Sequence, residues 1–156
     1  EYEGYHYEAA DASLALLIGR TTGEAKPLFE LESFRIISEK RTDGETTVEA
    51  TIKLLVKGQR VISTAEGNGP VNALDRALRQ AIGPHYPELK EIHLSNYKVR
   101  ILDEHRATAA TTRVLIDSTD GKRMWGAVGV SENIIEASWQ ALVDGLEYGV
   151  NGPKKT

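Results

Sequence analysis

The sequence contains no cysteine, which excludes a disulfide framework, a thiolate zinc site and a cysteine nucleophile. It also lacks a long apolar run: the longest near the N-terminus, residues 14–18, is far too short for a signal peptide or a transmembrane helix. Basic residues are not in excess, because 19 lysines and arginines stand against 23 acidic residues and the net charge is −4. This balance argues against nucleic acid or an acidic membrane as the main partner. We therefore expect a cytoplasmic protein that binds neither nucleic acid nor a membrane.

The residues that are present suffice for a folded protein. The chain has 156 residues, of which 40% are hydrophobic, and this supports one domain with a core or two small fused units. It opens on Glu1 without an initiator methionine, so we expect a fragment of a longer protein. Asp11 is a candidate helix N-cap, and the good helix formers that follow it to Ile18 predict a short leading helix.

Two similar groups of elements follow the leading helix. In the first group, alternating apolar residues and turn signals predict strands at about 29–38, 47–56 and 60–66 and an amphipathic helix over 70–82. The second group has predicted strands at about 91–102, 109–117 and 124–130 and a helix with Ser131 as its N-cap. Equivalent residues lie 63 positions apart at the first strand and 64 at the helix, as Leu31 with Leu94 and Leu78 with Leu142 show. A constant shift indicates duplication.

The predicted fold class is α+β: a leading helix followed by two duplicated βββα units with pseudo-two-fold symmetry. Residues 1–27 are predicted to form a linker and leading helix segment, and residues 28–156 a domain whose two units cover about 28–86 and 87–150. Each predicted sheet has a face that needs cover from its helix or from its twin.

The turn between the third strand and the first helix has the composition of an anion-binding site. Gly67 and Gly69 tolerate backbone angles and close approaches that a Cβ would block, and Pro70 suits the first turn of a helix. The N–H groups of residues 71–73 are expected to be free and to face a carboxylate, aided by the helix dipole. A plain strand-to-helix turn that starts with proline explains the same residues, so both interpretations stay open.

A second stretch, Ala107 to Thr112, consists of small residues on a predicted strand. Such residues leave room for an aliphatic group beside a carboxylate site, which is the geometry of an amino-acid sensor. They are equally suited to packing beneath a closely crossing helix.

Residues for catalysis are not apparent. The four histidines share no metal-ligand spacing, and the adjacent side chains of Asp103, Glu104 and His105 are expected to point apart. The turn at Gly67 lacks the lysine and spacing of a phosphate-binding loop. We therefore predict no catalytic residue, no metal site and no cofactor in this domain.

RNA binding is an alternative, because a helix followed by three strands and a helix is also the element order of a double-stranded RNA-binding domain. Those modules bind phosphates through lysines at the start of their final helix. This chain has Asn68, Asn72 and Asp75 there, so RNA binding is the less favoured interpretation.

Three ordered motifs together resemble the C-terminal regulatory domain of the 2-isopropylmalate synthases, with the citramalate synthase branch most similar. The motifs cover residues 67–78, 97–102 and 125–138, and residues 4–13 are similar to the linker that joins the family's catalytic barrel to this domain. The resemblance spans nearly the whole chain. It implies an allosteric domain of two βββα units that forms a homodimer and binds isoleucine or leucine for feedback inhibition.

The resemblance also implies that catalysis lies elsewhere, in a metal-dependent TIM barrel that condenses acetyl-CoA with a 2-oxo acid and that does not fit in this chain. By match to the motifs, the effector is expected close to the dimer interface. The implied effector-binding residues are Gly67, Asn68, Gly69, Pro70, Val71, Ala73, Tyr97, Val99, Ala107, Thr108, Ala109, Ala110 and Thr111. A purely structural dimerisation module is the alternative.

Overall fold

The computed structural model describes residues 11–23, 26–102 and 110–152. In chain order the elements are helix α1 (Asp11–Thr22), strands β1 (Glu30–Lys40), β2 (Thr46–Val56) and β3 (Gln59–Gly67), helix α2 (Pro70–Ile82), strands β4 (His93–Ile101), β5 (Thr112–Thr119) and β6 (Met124–Ser131), and helix α3 (Ile134–Asn151). Two short 3-10 helices, Gly83–His85 and Pro87–Glu91, lie between α2 and β4. The predicted α+β class, with a leading helix and two βββα units, is confirmed.

The first compact unit is Pro27–Pro87. Its three strands form an antiparallel sheet in the order β1-β2-β3, and α2 packs against β2 and β3. Every second residue of β2 is buried, starting at Val48, because the side chains of a strand alternate between the two faces of the sheet. Ile52 and Leu54 of β2 are fully buried, as are Leu74 and Leu78 of α2. Burying each such side chain contributes about 1.5–3 kcal/mol.

The second compact unit contains α1 and the chain from Glu88 onward. Its antiparallel sheet has the order β4-β5-β6, and α3 packs against β5 and β6. Helix α1 lies at the outer edge of β6. There the Asp11 carboxylate accepts the N–H of Gly126 (2.9 Å) and the Ser13 hydroxyl accepts that of Val128 (2.8 Å). These side chains satisfy backbone groups that an edge strand otherwise leaves exposed.

The two sheets share an irregularity at equivalent positions. The β1/β2 register shifts between Leu31 and Ser33, and the β4/β5 register shifts between Leu94 and Asn96, which lie 63 positions later. The paired helix residues Ala73 and Ala137, Ala77 and Ala141, and Leu78 and Leu142 are all buried. The structure therefore supports the duplication that the spacing indicates.

Two local predictions in the second unit are wrong. Ser131 is the last residue of β6, and the N-cap of α3 is Asn133, whose side-chain oxygen accepts the N–H groups of Ile135 (2.8 Å) and Glu136 (3.2 Å). The Ser131 hydroxyl instead accepts the N–H of Asn133 at 3.1 Å. Strand β5 begins at Thr112 rather than near residue 109 and continues to Thr119.

Candidate functional site

The end of β3 and the start of α2 approach each other closely at Gly67. A Cβ on Gly67 would lie 2.5 Å from the backbone nitrogen of Ala73 and 2.6 Å from Oδ1 of Asn72. Both distances are far below van der Waals contact, so only glycine fits here. The expected close approach is confirmed at this position.

Gly69 has a different environment. Its φ of −171° and ψ of 174° are extended angles that any residue adopts, and a Cβ there would meet no atom within 4 Å. The expectation that Gly69 serves a strained angle or a close backbone approach is therefore wrong, because the chain runs extended into the helix with open space beside it. Pro70 occupies the first turn of α2, as expected.

The backbone N–H groups at the start of α2 are only partly paired. The expectation that Ala73 has a free N–H is wrong, since this group closes the first helical turn by donating to the carbonyl oxygen of Gly69 (3.0 Å). The N–H of Asn68 donates to Oδ1 of Asn72 (3.1 Å). Within the described residues, the N–H groups of Val71 and Asn72 donate no hydrogen bond. Two donors therefore remain at the positive end of the helix dipole, where the first turn has no acidic side chain.

The equivalent donors in the second unit are occupied. Asn133 lies 64 positions after Gly69, and its side chain accepts the N–H groups of Ile135 and Glu136, which correspond to Val71 and Asn72. Gly69 has no side chain that could do the same. The duplicated scaffold therefore satisfies these two donors at α3 and leaves them open at α2.

The second group of candidate residues lies on β4. Tyr97 and Val99 are on the strand face that also carries Ile101, and all three are largely exposed, with exposed fractions of 42%, 42% and 55%. We call these three residues the β4 apolar surface. The Tyr97 hydroxyl lies 3.2 Å from the Ser138 hydroxyl of α3, and this contact fixes the end of the ring.

Sequence reasoning missed Ile101 and Ser138. Ile101 follows Val99 by two residues, so the period of a strand was a sufficient signal for it. The role of Ser138 depends on how α3 packs against its sheet, which no local pattern reveals.

Of the predicted stretch of small residues, Ala107 to Thr112, the structure describes residues 110–112. Thr111 accepts the N–H of Leu102 through its carbonyl oxygen (2.8 Å), which ties the end of β4 to the approach to β5. Ala110 and Thr111 are half-buried. Ala107, Thr108 and Ala109 lie outside the described residues.

The predicted site residues therefore fall into two sets. The first unit holds Gly67, Asn68, Gly69, Pro70, Val71 and Ala73, which the close approach of β3 and α2 brings together. The second unit holds Tyr97, Val99, Ala110 and Thr111.

Asp120 and Glu147 of the second unit, neither of them a predicted site residue, have carboxyl groups with shifted pKa values. The pKa of Asp120 falls to about 2 because the backbone N–H groups of Arg123 and Lys122 donate to it. Burial raises the pKa of Glu147 although Arg20 lies 2.9 Å away. Asp120 accepts backbone N–H groups within a turn, and Glu147 pairs with Arg20 where α1 meets α3.

The described ranges contain neither a candidate metal site nor a candidate membrane-spanning helix. No cluster of three or more histidine, aspartate or glutamate side chains there could hold a metal ion. None of the helices in those ranges has both the length and the apolar character needed to cross a membrane.

Comparison with known proteins gives concordant matches. A family model described as the LeuA allosteric (dimerisation) domain matches residues 8–150. An (R)-citramalate synthase of Streptomyces coelicolor is 57% identical over 152 residues, which are 96% of this chain and 28% of that protein. The (R)-citramalate synthases of Aquifex aeolicus and Synechocystis are 55% identical over 149 residues and 48% identical over 154 residues. These matches cover 95% and 96% of this chain and 28% of each relative. The chain thus spans little more than a quarter of the length of these relatives and matches their C-terminal domain.

Proposed function

Because the chain belongs to the LeuA allosteric (dimerisation) domain family, we propose that it is the regulatory domain of a cytoplasmic citramalate or 2-isopropylmalate synthase. In this role it binds a branched-chain amino acid, isoleucine or leucine, and lowers the activity of an acetyl-CoA-dependent catalytic domain. The observation that carries the proposal is the family match over nearly the whole chain. The domain itself is proposed to have no catalytic activity.

The start of α2 is the proposed contact for the carboxylate of the amino acid. The N–H groups of Val71 and Asn72 are without acceptors among the described residues, and the space beside Gly69 is open. A hydrogen bond between a charged group and a neutral partner contributes about 1.5–3 kcal/mol, and the helix dipole adds about 0.3–1 kcal/mol. Two such bonds suffice to orient a small ligand.

The β4 apolar surface, which belongs to the second unit, is proposed separately as a contact for a branched side chain. Tyr97, Val99 and Ile101 offer aromatic and β-branched side chains that are incompletely covered. Removing one methylene group from water contributes about 0.8 kcal/mol. Discrimination between isoleucine, leucine and valine is then about 1–3 kcal/mol at most and depends on fine packing.

Regulation further requires that the domain exist in two states. An effector shifts the balance between them only by as much as its affinity differs between the two states. We propose that the domain forms a homodimer, in keeping with the family description, and that the effector favours one arrangement of the attached catalytic domain.

Calorimetric titration with isoleucine, leucine and valine tests the proposal directly. We expect heat from isoleucine or leucine, and light scattering in the same buffer should give the mass of a dimer. A dimer that gives no heat with any of the three amino acids would support a purely structural dimerisation module and refute the sensor. Retention on duplex RNA that weakens with salt would instead support RNA binding.

Three variants at Gly69 test the position of the carboxylate site. Gly69→Asn copies Asn133, so its side chain should occupy the N–H groups of Val71 and Asn72 and lower the affinity at least about tenfold, which corresponds to 1.4 kcal/mol. Gly69→Asp should do the same and also repel the ligand carboxylate. Gly69→Ala adds only a Cβ in open space and should leave the affinity unchanged. Equal affinities in all three variants would move the site elsewhere.

The β4 apolar surface has its own test. Val99→Thr keeps the shape of the side chain and replaces a methyl by a hydroxyl group, so we expect weaker binding of the amino acid that the titration identifies. Ile62→Thr is the control, because Ile62 is also an exposed β-branched residue, with an exposed fraction of 55% on β3. The same affinity in both variants would exclude the β4 apolar surface as a contact.

A further inference from the structure

Helix α1 carries apolar residues on two faces. Ala12 and Leu16 face the rest of the second unit and are buried. Leu14, Leu17 and Ile18 have exposed fractions of 46%, 59% and 57%. Their spacing of three and four residues places them side by side along one face of the helix. We call these three residues the α1 outer stripe.

Polar contacts fix α1 in this orientation. The Arg20 guanidinium donates to Asp144 (2.8 Å) and to Glu147 (2.9 Å) of α3. The Ser13 hydroxyl lies 3.2 Å from the Asp144 carboxylate and also accepts the N–H of Val128 in β6. Turning the outer stripe inward would break these bonds, so the stripe stays directed away from β6 and α3.

The outer stripe differs from an ordinary solvated helix face in its charge. The only charged residues of α1 are Asp11 and Arg20, and both bond to β6 or α3. Single exposed hydrophobic residues are common on protein surfaces. Three of them at helical spacing, with Asp11 as the one charge toward that face and its carboxylate bonded to β6, form the pattern by which a helix binds in an apolar groove.

We propose that the α1 outer stripe docks onto the part of the longer protein that precedes this domain. The matched relatives are more than three times as long, and the match is to their C-terminal domain. Helix α1 begins at Asp11, near the N-terminal end of the range 8–150 that matches the family, so a preceding part of a protein of that length would be close to α1 along the chain. A covalent connection keeps such a partner at a higher effective concentration than a separate molecule, which favours it as the occupant.

Docking would make α1 a relay. Its inner side contacts β6 and α3, and its outer side would contact the preceding part, so a shift of β6 or α3 would reach that part through a single rigid helix. This regulatory consequence rests on the proposed function, whereas the docking itself does not.

Thiol labelling in the full-length protein tests the docking. This domain has no cysteine, so Leu17→Cys and Met124→Cys each introduce its only thiol, and peptide mass spectrometry can follow the reaction with iodoacetamide. Met124 is the control because it is 69% exposed at the start of β6. We expect Leu17→Cys to react at least about tenfold more slowly. Equal rates would overturn the proposal.

A second copy of the chain is the competing occupant, and cross-linking distinguishes it. If a short bismaleimide joins the Leu17→Cys thiols of two copies in high yield, the stripe is an interface between copies and the proposal is wrong. We expect no such product.

The relay is tested by Leu17→Glu in the full-length protein. We expect at least about tenfold more amino acid for half-inhibition, with the binding heat and the melting temperature unchanged. An unchanged inhibition curve would refute the relay. If no branched-chain amino acid binds at all, the proposed function fails, and the labelling rates still decide the docking.

Discussion

Replacing Gly67 by alanine tests the close approach of β3 and α2. The added Cβ would lie 2.5–2.8 Å from three atoms, of which two belong to the backbone of Ala73. The two backbone atoms of Ala73 cannot shift unless α2 moves, and Leu74 and Leu78 hold α2 in the core. Overpacking of this kind costs about 1–3 kcal/mol, and the contact with backbone places Gly67→Ala near the upper end. At roughly 2–4 °C per kcal/mol for a chain of this size, the melting temperature should fall by roughly 5–10 °C.

Urea unfolding followed by circular dichroism measures this loss, with Gly69→Ser as the matched control. Serine fits the open space and the extended backbone at Gly69 and is a good N-cap, so the control should equal or exceed the parent in stability. Fluorescence of Trp125 and Trp139 reports on the second unit, because both tryptophans lie there, and shows whether the loss is confined to the first unit. If Gly67→Ala stays within about 0.5 kcal/mol of Gly69→Ser, the reasoning from the close approach is refuted.

Three further predictions concern the second unit. Asn133→Ala removes the side-chain oxygen that accepts two helix N–H groups, so urea unfolding should show a loss of about 1 kcal/mol; an equal loss in Ser131→Ala would contradict Asn133 as the cap. Burial raises the pKa of Glu147 above its ordinary value of 4.5, so the stability from its protonated form is present below pH 4.5 and is lost as the pH rises through the raised pKa. As the pH rises through that pKa, the stability of Glu147→Gln relative to the parent should therefore increase. A stability difference that stays constant with pH would contradict the raised pKa. The backbone N–H groups of Arg123 and Lys122 lower the pKa of Asp120 from 3.8 to about 2, so the stability that the ionised carboxylate adds is present above pH 3.8 and is lost as the pH falls to about 2. In thermal melts the parent should lose its stability advantage over Asp120→Asn across that interval. The same difference in melting temperature at every pH would contradict this prediction.

The order of elements was predictable from the sequence because it depends on local periodicity. The strands alternate apolar and polar residues, and α2 repeats its apolar residues every three or four positions. The duplication was visible for the same reason, since Leu31 and Leu94, and Leu78 and Leu142, recur at nearly the same spacing. These features depend on residues close together in the chain.

Details that depend on distant contacts were not predictable. Ser131 and Asn133 are both good N-cap residues, and only the length of β6 decides between them. Gly67 and Gly69 occur in the same turn, yet one lies against Ala73 and the other beside open space. The hydrogen bonds of α1 to the edge of β6 join residues 115 positions apart, and no local pattern indicates them. Binding of an effector at the candidate residues stays a prediction.

The comparison of the two helix starts gives the strongest physical reason to expect a ligand in the first unit. Asn133 shows that this scaffold accepts a capping side chain, and such a cap is worth about 1 kcal/mol relative to alanine and a few tenths of that relative to glycine. Gly69 omits that cap, although its extended backbone and open surroundings would admit the same side chain. An anion that accepts the N–H groups of Val71 and Asn72 would restore at α2 the hydrogen bonds that α3 makes within the chain, so binding there would also stabilise the first unit.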